Sequence, residues 1–99
     1  MDTQPPLLSD QTIATKLATL DMAWAAVGND YLVRAYKTKN FMAGVALINE
    51  IAKLAEAQNH HPDISLSYAT VEVRISTHSV AGITESDFAL ATKIDQLPQ

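Results

Sequence analysis

The chain has 99 residues, of which 47% are hydrophobic and 18% charged, and a formal net charge of −4. That is the composition of one folded domain spanning 1–99 rather than of a disordered segment. An acidic surface argues against direct nucleic-acid binding, which needs a basic face to neutralise phosphates, and the absence of cysteine excludes disulfides and thiolate metal sites and suits a reducing cytoplasm.

Residues 1–8 read as an N-terminal arm, in which Pro5-Pro6 blocks a helix and Leu7-Leu8 is placed to dock on the body. Met1 to Pro6 carries neither the basic start nor the apolar run of a secretory signal. Ser9 or Asp10 is the N-cap of a first helix. Ile13, Leu17 and Leu20 recur at helical spacing, which predicts a helix from about 10 to 20. Ala23 to Val27 and Tyr31 to Lys37 flank Gly28-Asn29-Asp30, whose tolerance of positive φ marks a hairpin. In the second strand Leu32, Arg34 and Tyr36 share one face and Tyr31, Val33 and Ala35 the other, so alternation does not decide which face is inward. Trp24 reads as a core anchor or as the wall of a site.

Asn40 caps a second helix predicted from 41 to about 57. Phe41, Val45, Ile48, Ala52 and Ala55 make one apolar stripe; Leu47, Ile51 and Leu54 make another. That arc is wider than one sheet contact requires, so the extra stripe packs on a helix of the same chain or on another subunit. The longest apolar run, Phe41 to Ile48, falls far short of the roughly 20 residues that span a bilayer, so no membrane is expected.

Pro62 fixes its own φ and pushes His61 toward an extended backbone. His60-His61 therefore lies where a helix has ended and a strand is about to begin. Adjacent residues in an extended segment point to opposite sides, so one of the pair faces a site more directly than the other. Beyond Pro62, Ile64, Leu66 and Tyr68 alternate with Asp63, Ser65 and Ser67. After a turn near Ala69, Val71, Val73 and Ile75 line one face of a further strand, and Glu72, Arg74, Ser76 and His78 line the other. One oily and one wet face is the pattern of an antiparallel sheet covered by helices on one side. Thr84 opens a third helix, with Phe88, Leu90, Ala91 and Ile94 as its apolar positions, ending near Asp95. The order α-β-β-α-β-β-α predicts an α+β fold, a four-stranded antiparallel sheet with three helices on one face.

Glu56, three residues, His60-His61-Pro62, five residues, Tyr68, nine residues, His78, eight residues, Asp87 is a spaced set that resembles the signature of the pterin-4a-carbinolamine dehydratases. Trp24, Arg34, Phe41, Ala55-Glu56, Ser76-Thr77-His78, Gly82-Ile83-Thr84 and Leu90-Ala91 fall where that family has them, so the resemblance covers about 12 to 95. It implies the α+β fold and the loss of water from 4a-hydroxytetrahydropterin to give quinonoid dihydropterin, a step in tetrahydrobiopterin recycling. It implies no metal and no cofactor, and a homodimer through sheet pairing or a homotetramer through the second helix. Some animal members also bind a homeodomain transcription factor. By resemblance the catalytic set is His60, His61 and His78, with His60 and His78 as acid and base candidates and His61 mainly holding the pterin substrate. Imidazole suits both proton transfers because its reference pKa is ~6.5. Glu56 is a candidate to orient His60 or to bind the pterin ring nitrogens. Asn59, Ser76, Thr77 and Ser79 match positions lining the substrate site, with Asp87 and Trp24 beside them.

Each residue also has a plainer reading. Glu56 fits a solvated charge at a helix end. Asp87 falls three residues after Thr84, the spacing of a capping box, which is compatible with supporting a histidine. Three histidines with Glu56 suggest zinc only loosely, because the spacing fits no standard zinc motif. The chain departs from the family pattern at Asn59 and Ser79, where an acid is common, at Ala23 and Ala81, where glycine is common, and at Thr38, where an aromatic is common. A binding or assembly protein on the same fold, a coactivator or a chaperone-like relative, is the competing class. A pure scaffold has no physical reason to keep all three histidines at this spacing.

Overall fold

The computed structural model describes residues 6–98; residues 1–5 of the expected arm, and Gln99, lie outside the described residues. Ser9 caps α1 (Asp10–Leu17) by accepting from the Thr12 backbone N–H. The helix stops short of the expected residue 20. Thr19 donates its hydroxyl back to the Lys16 carbonyl at 2.6 Å, and the chain tightens through a turn that delivers Leu20 to the core. The Asp21 side chain then accepts from Ala23 N–H at 2.9 Å, and Trp24 N–H donates to Asp21 O at 3.1 Å. This aspartate turn is why β1 (Ala25–Val27) begins two residues later than the expected Ala23.

β1 and β2 (Tyr31–Lys37) close a hairpin over Gly28, whose φ of +53° favours a residue without Cβ. α2 (Phe41–Gln58) follows, capped by Asn40. β3 (Asp63–Ser67) and β4 (Thr70–Ile75) form the second hairpin, and α3 (Glu85–Asp95) ends the fold. All pairing is antiparallel, in the order β1-β2-β4-β3. Tyr68 turns out of β3 at φ +45° and is exposed, so it does not continue the inward row of Ile64 and Leu66 as expected.

The structure settles which face of β2 is inward. Leu32 and Tyr36 are buried with Val71, Val73 and Ile75 of β4. Ile13 of α1, Ile51 of α2, and Phe88, Leu90 and Ile94 of α3 cover that face. The fold is therefore the expected α+β arrangement, with its helices on one side of the sheet. α2 approaches closely at Gly44, where a Cβ would lie 2.7 Å from Leu66 Cδ1. Its inward line runs Gly44, Ile51 and Ala55, while Phe41 and Met42 at its start stay 47% and 69% exposed.

Arg34 enters the core face because it has partners there. Asp95 at the end of α3 accepts from Arg34 Nη1 at 2.8 Å, from the Trp24 indole at 2.7 Å and from Asp21 N–H at 2.9 Å. The guanidinium lies 4.2 Å from the Tyr36 ring centroid. The Tyr36 hydroxyl is buried with no hydrogen-bond partner among the described residues. Burial pushes its pKa up to about 12, against a lowering by Arg34 and with smaller raising from Asp95 and Asp21. A phenol raised in this way contributes stability that is present below its ordinary pKa of ~10 and is lost as pH rises through the folded value. That linkage compares the neutral with the ionised phenol; compared with phenylalanine the neutral hydroxyl is a buried group without a partner, so Tyr36→Phe should raise stability by about 1 kcal/mol at neutral pH. It should also flatten the loss of stability above pH ~10. Urea melts of both proteins across that range check this; a destabilised variant would mean that the hydroxyl has a partner.

Candidate active site

The site is built where α2 ends. Asn59 takes φ 53° and ψ 45°, the left-handed cap conformation that asparagine tolerates better than other side-chain-bearing residues. His60 N–H returns to Ala55 O at 3.0 Å. The chain thus reverses at 59, Pro62 holds the next step extended, and β3 starts at Asp63, paired with Arg74. Continuing that register sets His61 opposite Ser76 and His60 opposite Thr77. Strand pairing thus points the end of β4 toward the histidine pair, and Asp87 joins Thr77 to His60.

β4 does not run on to His78 as the alternation suggested. It ends at Ile75, and Thr77 pairs back on Gly82 in an isolated bridge. His78–Val80 forms a single 3₁₀ turn closed by Ala81 at φ 53°. Alanine there costs roughly 1–2 kcal/mol relative to glycine, which accounts physically for the glycine common at this position in the resembling family. The loop is clamped from two sides. Leu8 N–H donates to Ile83 O at 3.0 Å, and Ile83 N–H donates to Asn29 O at 3.1 Å. Between them Gly82 is so tightly enclosed that a Cβ would lie 2.6 Å from Leu7 Cδ2. The described part of the arm therefore docks, as expected, and it docks on the turn that carries His78.

Asp87 is fully buried and unites these pieces. Its Oδ1 accepts from His60 Nε2 at 2.5 Å; its Oδ2 accepts from the Thr77 hydroxyl at 3.0 Å and from Thr84 N–H at 2.7 Å. The Thr84 hydroxyl lies 2.7 Å from that of Thr77. Thr84 and Asp87 form the expected capping box at the start of α3. Asp87 thus caps a helix and holds a histidine at once, and it reaches any ligand only through His60. Gln58 ties the same two helices by donating to Ser86 O at 2.9 Å.

The sequence left open whether Glu56 orients His60. The structure gives it a different partner: Glu56 Oε2 meets His61 Nε2 at 2.5 Å. The left-handed cap at Asn59 turns His60 inward toward α3 and leaves His61 outside, over the last turn of α2. His78 Nε2 lies 3.8 Å from Asp63 Oδ2. Each histidine is thereby paired with one carboxylate. The His60 side chain is 14% exposed, His61 55% and His78 66%; the His60–Asp87–Thr77 bonds and the His78–Asp63 contact tie their segments into one open ledge. Ser76 is half-buried beside it, Thr77 lies buried behind it, and Ser79 and Asn59 face solvent. Trp24 is not brought to the ledge. It is buried against Asp95, eight residues along α3 from Asp87, or about 12 Å at the helical rise. Asp63 carries no signal in the motif; only its contact with His78 in the folded chain reveals it.

A groove of about 530 Å³, lined by Tyr36, Thr38, Leu47 and Leu97 among others, lies at the other end of α2. Among the described residues no group of three His, Asp or Glu side chains is placed to hold a metal ion, and no helix is long and apolar enough to cross a membrane.

With this geometry in view, the relatives are informative. Residues 6–97 match the family described as Pterin 4 alpha carbinolamine dehydratase. A protein of Thermomicrobium roseum named "Putative pterin-4-alpha-carbinolamine dehydratase" is 46% identical over 91% of this chain and 95% of its own length. One of the same name from Chloroflexus aurantiacus is 42% identical over 93% of this chain and 97% of its own. The crystal structure of a transcriptional coactivator/pterin dehydratase from Brucella melitensis shares 32% identity and a TM-score of 0.83, covering 90% of this chain and 95% of that one. A pterin dehydratase-like protein identified as a RuBisCO assembly factor in the alpha-carboxysome has a TM-score of 0.61 at 20% identity, over 74% of this chain and 86% of that one, a likeness of fold alone. This chain belongs to the pterin-4a-carbinolamine dehydratase family.

Asp87→Asn should cost about 2 kcal/mol, because an amide cannot accept from His60, Thr77 and Thr84 together and the cap of α3 weakens. His61→Ala, at an exposed pair, should stay within about 0.5 kcal/mol of wild type. Urea unfolding of the two variants checks both; equal stability of Asp87→Asn and wild type would contradict the role given to this carboxylate.

Proposed function

We propose that this protein removes water from 4a-hydroxytetrahydropterin to give quinonoid dihydropterin, with histidine side chains as acid and base. The observation that carries this reading is the ledge of three histidines, one of them held from behind by a buried carboxylate. In the reaction the C4a–O bond breaks and the oxygen leaves as water, so it needs a proton. The N5 proton departs as the C4a=N5 bond forms. Hydroxide is a poor leaving group, and two positioned imidazoles supply both transfers without a metal.

The ring contacts suggest a division of labour. Asp87 accepts from Thr77 and Thr84 through Oδ2, which leaves Oδ1 to accept Nε2–H of His60, the tautomer in which Nδ1 is the acceptor nitrogen. His60 is then the base for the N5 proton, oriented by Asp87 much as a buried aspartate orients the histidine of a hydrolase triad. His78, exposed on its turn, serves as proton donor to the 4a oxygen. His61, with Glu56, binds the pterin. The product would feed the reductive recycling of a tetrahydropterin, and the cysteine-free chain suits the cytoplasm.

His60→Ala and His78→Ala should each lower kcat by about 10²–10⁴-fold, while His61→Ala should mainly raise KM. Steady-state kinetics on chemically generated substrate, with folding checked by circular dichroism, test this. The competing reading, a coactivator or assembly protein on the same fold, expects no activity to lose.

We also propose that the protein works as a dimer or larger assembly. Among the described residues the outer edges of β1 and β3 have no neighbouring strand, and Phe41 and Met42 leave apolar surface on α2. Such edges invite pairing. Sedimentation should give a dimer or tetramer at micromolar concentration; a monomer would contradict it.

A further inference from the structure

Of the three histidines, His78 is the least constrained. It sits on a single 3₁₀ turn outside the sheet, with its side chain 66% exposed. His60 is fixed by Asp87 and His61 by Glu56. The carboxylate that faces His78 is Asp63, at 3.8 Å, on the strand that follows the histidine pair. We propose that Asp63 is the positioning residue for His78. This deepens the proposed dehydratase function and rests on it.

Three features of the placement support this role. Asp63 is the first residue of β3, its backbone set by Pro62 on one side and by pairing with Arg74 on the other. The segment that delivers His60 and His61 therefore also delivers the group that meets His78, and Asp63 joins the two arms of the ledge at the surface as Asp87 joins them in the interior. The charged groups nearest Asp63 on β4 are Arg74, directly opposite it, and Glu72. Arg74 gives its Nε to Glu72 at 2.7 Å and stacks 5.0 Å from the Tyr31 ring centroid, so it acts on Asp63 only through its charge, with no hydrogen bond joining the two side chains. Finally, the Asp63 side chain is 74% exposed, so it adds little to stability. Its effect falls on where the His78 ring points. Facing the ring from the strand side, the Asp63 carboxylate restricts the orientations His78 can take and keeps it from sampling solvent freely.

Asp63→Asn should lower kcat by about tenfold with KM changed by no more than about twofold, because the loss is one of orientation and not of binding. Asp63→Glu should recover most of the rate. In the variant that lacks His78, adding Asp63→Asn should cost nothing further, since Asp63 acts only through that ring. ¹³C relaxation of the His78 ring in the free protein should show lost order in Asp63→Asn and retained order in Asp63→Glu. Wild-type kcat in Asp63→Asn with unchanged ring order overturns the proposal, as does a further multiplicative loss in the double variant. A wild-type protein with no dehydratase activity would instead sink the function reading, and the ring relaxation would still decide whether Asp63 orders His78.

Discussion

The site depends on one buried carboxylate. Asp87 has no contact with water, and a lone carboxylate in that position would be prohibitively costly. It is tolerated because three donors surround it: an imidazole from the end of α2, a hydroxyl from the segment after β4, and the backbone N–H that opens α3. Each donor comes from a different piece of chain. The pieces must therefore arrive together, and removing any one leaves a charge or a buried donor unsatisfied. The carboxylate that completes the cap of α3 at Thr84 is the same one that holds the His60 ring.

α3 carries a second such anchor at its other end. Asp95 gathers Arg34, Trp24 and the Asp21 backbone, and that cluster orients the helix on β2 without touching the histidines. The two carboxylates divide the work between site and frame. This explains why Trp24, which falls in the family pattern along with the histidines, turns out to pack the core. A residue kept in pattern for the frame and one kept for chemistry look alike in a single sequence.

Much of the fold was legible because local rules and packing agree along most of the chain. Asn40 and Thr84 cap the helices they were expected to cap, and the oily row Val71, Val73, Ile75 faces the helices. The failures occur where a side chain competes with the regular pattern. Thr19 and Asp21 bond to nearby backbone and shorten α1 and β1. Arg34 lies inward because Asp95, distant in sequence, supplies its charge partner. His78 follows the strand alternation in the sequence, yet the Thr77–Gly82 bridge folds it onto a turn. In the site, the histidines and Asp87 were legible as a spaced set; their pairing was not. Glu56 lies one turn before His60 in sequence but meets His61, because the left-handed Asn59 rotates the pair by a step that spacing cannot show. Asp63 needed the tertiary contact with His78 to be seen at all.

The central claim is that His60 and His78 carry the proton transfers of a pterin dehydration. It is tested most directly by stopped-flow measurement of 4a-hydroxytetrahydropterin breakdown with wild type and with the double variant His60→Ala/His78→Ala. The account predicts a wild-type rate far above the spontaneous one and a double variant that falls to the spontaneous rate, since hydroxide loss then has no positioned proton donor. A double variant that keeps more than about a tenth of wild-type kcat, well above what loss of acid–base catalysis permits, would contradict it.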